Sequence, residues 1–137
     1  MKLVEVLNKP ADWKWFKQNG REHTALFIID DNKYVWKAET SDQERWQVTF
    51  EIRGTGGKPH DISKTGNEFQ VFATVAVILD EFVKKVKPDI FWFSAKEPSR
   101  AKLYDRFAKL ITRKHSAYKS DLGVHSNKKY YEFEKKQ

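Results

Sequence analysis

The chain has no cysteine, and that absence alone removes disulfides, thiolate metal sites, iron–sulfur clusters and every cysteine-nucleophile mechanism. Also missing is any run of about 18 apolar residues. The opening Met1-Lys2-Leu3-Val4-Glu5-Val6 lacks the apolar stretch of a secretory signal. Together these absences lead to the expectation of a soluble, cytoplasmic protein that contacts no membrane. The four histidines, His23, His60, His115 and His125, show no His-x-x-x-His or related spacing, so no metal-ligand set is written into the sequence. A P-loop, a Gly-x-Ser-x-Gly elbow and a serine–histidine–aspartate order are absent too, which argues against nucleotide-hydrolysing and hydrolase chemistry. No internal repeat or low-complexity tract is present.

What is there points to one domain spanning 1–137. At 39% apolar and 15% aromatic residues, 137 residues suffice for one core and are too few for two comfortable ones. The formal charge of +7 is unevenly spread. Residues 84–137 carry 15 Lys/Arg against 6 Asp/Glu, and residues 1–83 carry 11 against 13. A basic field of this kind favours anionic partners such as nucleic acid, phosphorylated cofactors or an acidic protein; the alternative is a solvated face that aids solubility.

The patterning predicts a mixed α/β (α+β) domain. Leu3–Leu7 suits a short first strand. Pro10–Asn19 reads as a helix ended by Gly20, with Trp13, Phe16 and Lys17 on one face by i, i+3 and i+4 spacing and Trp15 pointing elsewhere. Thr24–Asp30 and Tyr34–Glu39 form a hairpin turned at Asp31-Asn32-Lys33. Arg45–Arg53 is the third strand of a meander, with Trp46, Val48, Phe50 and Ile52 on one face. Thr65-Gly66-Asn67-Glu68 has the spacing of a capping box, so a helix follows over about 69–86, its stripe running through Val71, Val75, Ile78, Leu79, Phe82 and Val86. Ile90–Ser94 reads as a strand buried on both sides. A further helix spans about 98–113, with Leu103, Tyr104, Phe107, Leu110 and Ile111 facing in. A loop with Gly123 leads to a closing strand over 128–134.

This order of helix, meander, long helix, buried strand, second long helix and terminal strand resembles the GCN5-related N-acetyltransferase family. Residue-level likeness rests on Phe91-Trp92-Phe93-Ser94-Ala95 and the following segment Glu97–Tyr104, which ends in Leu103-Tyr104. Members of the family commonly carry an Asn-x-x-Ala-x-x-Leu-Tyr helix there; Glu97 and Arg100 replace the Asn and Ala. The resemblance implies a mixed, mostly antiparallel sheet flanked by helices, acetyl-CoA as cofactor, and its pyrophosphate held by backbone N–H groups of a Gln/Arg-x-x-Gly-x-Gly/Ala loop opening the helix after the fourth strand. The chain departs from that loop. Arg53-Gly54-Thr55-Gly56-Gly57-Lys58 ends in lysine and runs into Pro59-His60-Asp61, and at the helix start a single glycine remains, beside Glu68 and Phe69. An anion near Glu68 meets like-charge repulsion. On this resemblance Gly66, Asn67, Phe69 and Gln70 line the cofactor site, and Tyr104 is the general acid that returns a proton to the departing thiolate. Size, basicity and aromatic content are also similar to those of small proteins encoded by tailed bacteriophages.

Each candidate has a structural alternative. Tyr104 also fits as a core residue of its helix. Ser99 and Arg100 suit an anion, with guanidinium giving bidentate contacts, or a cap and a pair with Glu97. Arg106, Lys109 and Arg113 share a helix face and, with Arg100, form the best surface for nucleic acid or an acidic protein. Asp30, Asp31, Asp42 and Glu44 lie near strand ends, where turn chemistry explains them.

Overall fold

A two-residue alternation governs most of this fold, because every strand must bury one row of side chains and leave the other to solvent. The computed structural model describes residues 10–53, 68–95, 101–125 and 128–136. Its elements are β1 (Trp13–Gln18), β2 (Glu22–Ile29), β3 (Asn32–Glu39), β4 (Arg45–Arg53), α1 (Glu68–Val86), β5 (Ile90–Ala95), α2 (Ala101–Lys114), β6 (Tyr118–His125) and β7 (Lys128–Lys135). The seven strands form one sheet in the order β1-β2-β3-β4-β5-β7-β6. Every neighbouring pair is antiparallel except β4 with β5, which is parallel. The class is α+β, with the sheet the larger part and helices after β4 and β5.

Register places the aromatic residues on one face. Trp13 opposes Phe27, which opposes Tyr34; Trp15 opposes Ala25, then Trp36, then Phe50. Beyond the parallel pair, Phe91 opposes Phe133 and Phe93 opposes Tyr131. Both helices pack on this face. From α1, Val71, Val75, Ile78, Leu79 and Phe82 are buried, and from α2, Phe107 and Ile111. Phe82 meets Trp36 and Trp46, while Phe107 meets Phe93 and Phe72. Removing one such ring from water contributes about 1.5–3 kcal/mol. Among the described residues no helix covers the opposite face, and none is long and apolar enough to cross a membrane.

Local chemistry sets the turns. Asn19 Oδ1 accepts the N–H groups of Arg21 and Glu22, both at 2.8 Å, and so closes the β1–β2 hairpin. Asp30 and Asp31 both have positive φ, 48° and 65°, as a two-residue primed turn requires. Asp42 accepts the N–H groups of Glu44 and Arg45 at 2.9 and 3.0 Å, so turn chemistry accounts for it. Two tethers join layers: Ala11 N–H donates to Thr74 Oγ1 at 2.9 Å, and Tyr131 OH donates to Asp105 Oδ1 at 2.6 Å.

The meander and both helices stand close to their expected bounds, and four expectations are corrected. The helix expected over Pro10–Asn19 is β1 instead: Trp13 and Trp15 share the inner face, their rings 5.1 Å apart, while Phe16 is 69% exposed. The segment read as a loop around Gly123 is β6, an edge strand paired only with β7. β5 is central but buried on one face, for Phe91 and Phe93 are inside whereas Ile90 and Trp92 are half-buried on the other side. The hairpin turn falls at Asp30-Asp31, one residue before its expected place. The strand expected at Leu3–Leu7 and the capping-box residues Thr65–Asn67 lie outside the described residues.

Candidate functional site

The one parallel pair is also the shortest ladder in the sheet. Arg45 pairs with Ile90, Trp46 with Phe91 and Gln47 with Trp92, and there the ladder ends. β4 nevertheless continues to Arg53, bonded to β3, and β5 continues to Ala95, bonded to β7. The seam between them therefore opens toward the carboxyl ends of both strands. The N-terminal halves of α1 and α2 pack there, Phe72 against Phe50 and Phe107 against Phe93. Strand carboxyl ends facing helix starts are the general place for ligands in sheets with crossover helices, because unpaired helix N–H groups lie there.

Side chains close the helix side of this opening. Phe107 of α2 lies 5.3 Å from Phe93 of β5 and 6.4 Å from Phe50 of β4, ring centre to ring centre. Phe72 of α1 meets both Phe50 and Phe107 at 5.4 Å. The two helix starts differ in charge. α1 begins at Glu68, which opposes an anion, whereas the first turn of α2 holds no acidic residue.

The expected site residues distribute as follows. Gln70 sits half-buried in the first turn of α1, its carbonyl accepting the Thr74 hydroxyl at 2.8 Å. Phe69 belongs to α1 and Tyr104 and Arg106 to α2 by their backbones, with side chains outside the described part. Gly66, Asn67 and Arg100 lie outside it altogether. Lys109 and Arg113 are exposed one helical turn apart, on the side of α2 turned from Phe107 and Ile111. The helices that carry Gln70 and Tyr104 meet through Phe72 and Phe107, over Phe50 and Phe93.

At the closed end is a buried box that the sequence reading passed over. His23 is 6% exposed and its ring lies 5.4–5.8 Å from those of Trp15, Trp46 and Phe82. Its Nδ1, and the Nε1 atoms of Trp36 and Trp46, have no hydrogen-bond partner among the described residues. Burial, helped by the nearby Lys85 ammonium, holds the His23 imidazole below its ordinary pKa, so it stays neutral. The signal was available: His23, Ala25, Phe27 and Ile29 alternate onto the inner face. His115 is also held low by burial, against the pull of Asp80, whose Oδ1 is 3.3 Å from its Nε2. Tyr118 OH donates to the Pro88 carbonyl, and burial, with Asp89 adding to it, pushes the phenol up to about 12. No three His, Asp or Glu side chains cluster as a metal site among the described residues.

No family model and no curated protein matches this chain.

Proposed function

We propose that the chain is an acetyltransferase-like protein that takes an acyl-CoA at the open end of the β4–β5 seam, acting either as an atypical N-acyltransferase or as a binding protein without turnover. The single observation that carries this reading is the three-residue parallel ladder, followed by separate strand ends that each lead toward a helix. Of the order that carries the family resemblance, the meander, long helix, central strand, second helix and closing strand support it as well, whereas the opening helix is a strand. On this reading Gly66, Asn67, Phe69 and Gln70 line the cofactor and Tyr104 delivers the proton to the leaving thiolate.

Calorimetric titration of the purified chain with acetyl-CoA and with coenzyme A tests this, with a thermal melt as the check for folded material. Micromolar binding is the expected result, and a folded sample that takes up neither ligand overturns the reading. Tyr104→Phe then separates its two versions: lowered turnover in a folded variant marks an enzyme, and unchanged turnover removes Tyr104 from the chemistry.

A second reading, a basic surface for nucleic acid or an acidic protein, is favoured by the exposed Lys109 and Arg113. Reversing Arg106, Lys109 and Arg113 to glutamate should abolish such binding and its salt dependence. Unchanged affinity identifies a solvated face.

A further inference from the structure

The face of the sheet that the helices leave open is not uniformly polar. On β1–β3 the register sets Lys14 beside Leu26 and Leu26 beside Val35, and in the next row Ile28 beside Lys33. Ile28 is 64% exposed; with Phe16 it makes up the exposed large hydrophobic side chains among the described residues. A shallow groove of about 500 Å³ runs here, and the residues that line it on this face are Asp12, Lys14, Leu26, Ile28 and Lys33. That volume lies within the roughly 300–1,000 Å³ typical of ligand clefts. Lys14 and Lys33 flank the Leu26–Ile28 pair, and neither has an ion-pair partner among the described residues. Lys17, by contrast, lies 3.7 Å from Glu22.

We infer that this groove docks an acidic peptide, one apolar side chain seating over Leu26 and Ile28 and carboxylates on either side meeting Lys14 and Lys33. Charge complementarity selects the partner: two exposed lysines with no ion-pair partner among the described residues flank an apolar floor. Strand spacing of about 4.8 Å and a rise of about 3.4 Å per residue put Lys14 and Lys33 roughly 12 Å apart at their Cα atoms. An extended peptide turns alternate side chains to one face, so an acid at i, one apolar residue at i+2 and an acid at i+4 is the pattern that meets Lys14, the Leu26–Ile28 pair and Lys33 from one side. Strand addition to the free edge of β1 is not the mode, because the register shifts between Trp15 and Lys17. The extra residue, Phe16, is a bulge, and bulges blunt edges against pairing. This inference is independent of the acyl-CoA reading, since the two sites lie on different strands.

A random dodecapeptide display library selected on the immobilised full chain is the test, followed by fluorescence anisotropy of the enriched peptides. The expected consensus has Asp or Glu two positions before and two positions after one apolar residue. Its affinity should fall about tenfold or more in the Lys14→Glu/Lys33→Glu variant, and weaken with added salt. Ile28→Asn should lose binding while keeping the wild-type melting curve. A consensus without acids, no enrichment, or equal affinity in both variants overturns the proposal. So does binding of phosphatidylserine vesicles or oligothymidylate that the same substitutions abolish in the absence of any selected peptide.

Discussion

The two ends of the β4–β5 seam carry similar residues and do opposite things. At the closed end Trp46 and Phe91 pair and are buried, Trp46 against Phe82 of α1 and Phe91 against Tyr118 and Phe133. At the open end Phe50 and Phe93 are just as suited to a strand, yet the ladder has already stopped. The difference is what packs on top. Phe82 sits over the closed end from α1, whereas Phe107, from the other helix, touches Phe50 and Phe93 and so spans the gap. Strand-forming residues are thus not sufficient for a ladder; the layer above decides how far it runs.

Four substitutions or conditions sharpen or break that comparison. Phe82→Ala should be the most damaging, costing about 3–5 kcal/mol, because its fully buried ring contacts His23, Trp36 and Trp46. A urea-midpoint measurement reads it directly. Phe107→Ala should cost about 3 kcal/mol, the lower end of the same range, because the parted strands can close on the vacated space. Amide exchange along β4 beyond Gln47 should slow in that variant if the ring holds the seam open. An equal cost with unchanged exchange breaks the comparison.

Acid comes next. Below the ordinary imidazole value of 6.5 the unfolded chain binds a proton that folded His23 refuses, so stability declines as the pH falls below that value and is unaffected above it. His115 acts in the same direction, partly offset by Asp80. Each such group contributes at most about 1.4 kcal/mol per pH unit. His23→Phe should flatten the decline in denaturation curves between pH 7 and 5, and leave stability at pH 8 equal or higher, since it removes a buried nitrogen with no partner. The smallest effect expected is that of Tyr118→Phe, about 1 kcal/mol from the lost bond to Pro88.

How much of this was legible in the sequence depends on how local the determining contact is. β2, β3 and β4 could be read because alternation is written into each strand, and α1 because its stripe repeats at helical spacing. β1 could not, since Trp13, Phe16 and Lys17 fit a helix face as well as Trp13 and Trp15 fit a strand face, and the bulge at Phe16 hides the alternation. In β6 Ser120 interrupts the alternation of Tyr118, Leu122 and Val124, and Gly123 reads as a loop, because an edge strand needs little apolar patterning. The seam was out of reach altogether: a parallel ladder joins residues more than forty positions apart, and where it ends depends on Phe107 in a third element. Of the expected site residues, Gln70, Lys109 and Arg113 are located with their side chains.

The most direct test of the seam as the working site is hydrogen–deuterium exchange on the full chain with and without acetyl-CoA. Protection confined to residues 48–53 of β4, 93–95 of β5 and the first turns of α1 and α2 is the predicted result. Binding that protects the outer strands and leaves the seam unchanged would contradict it.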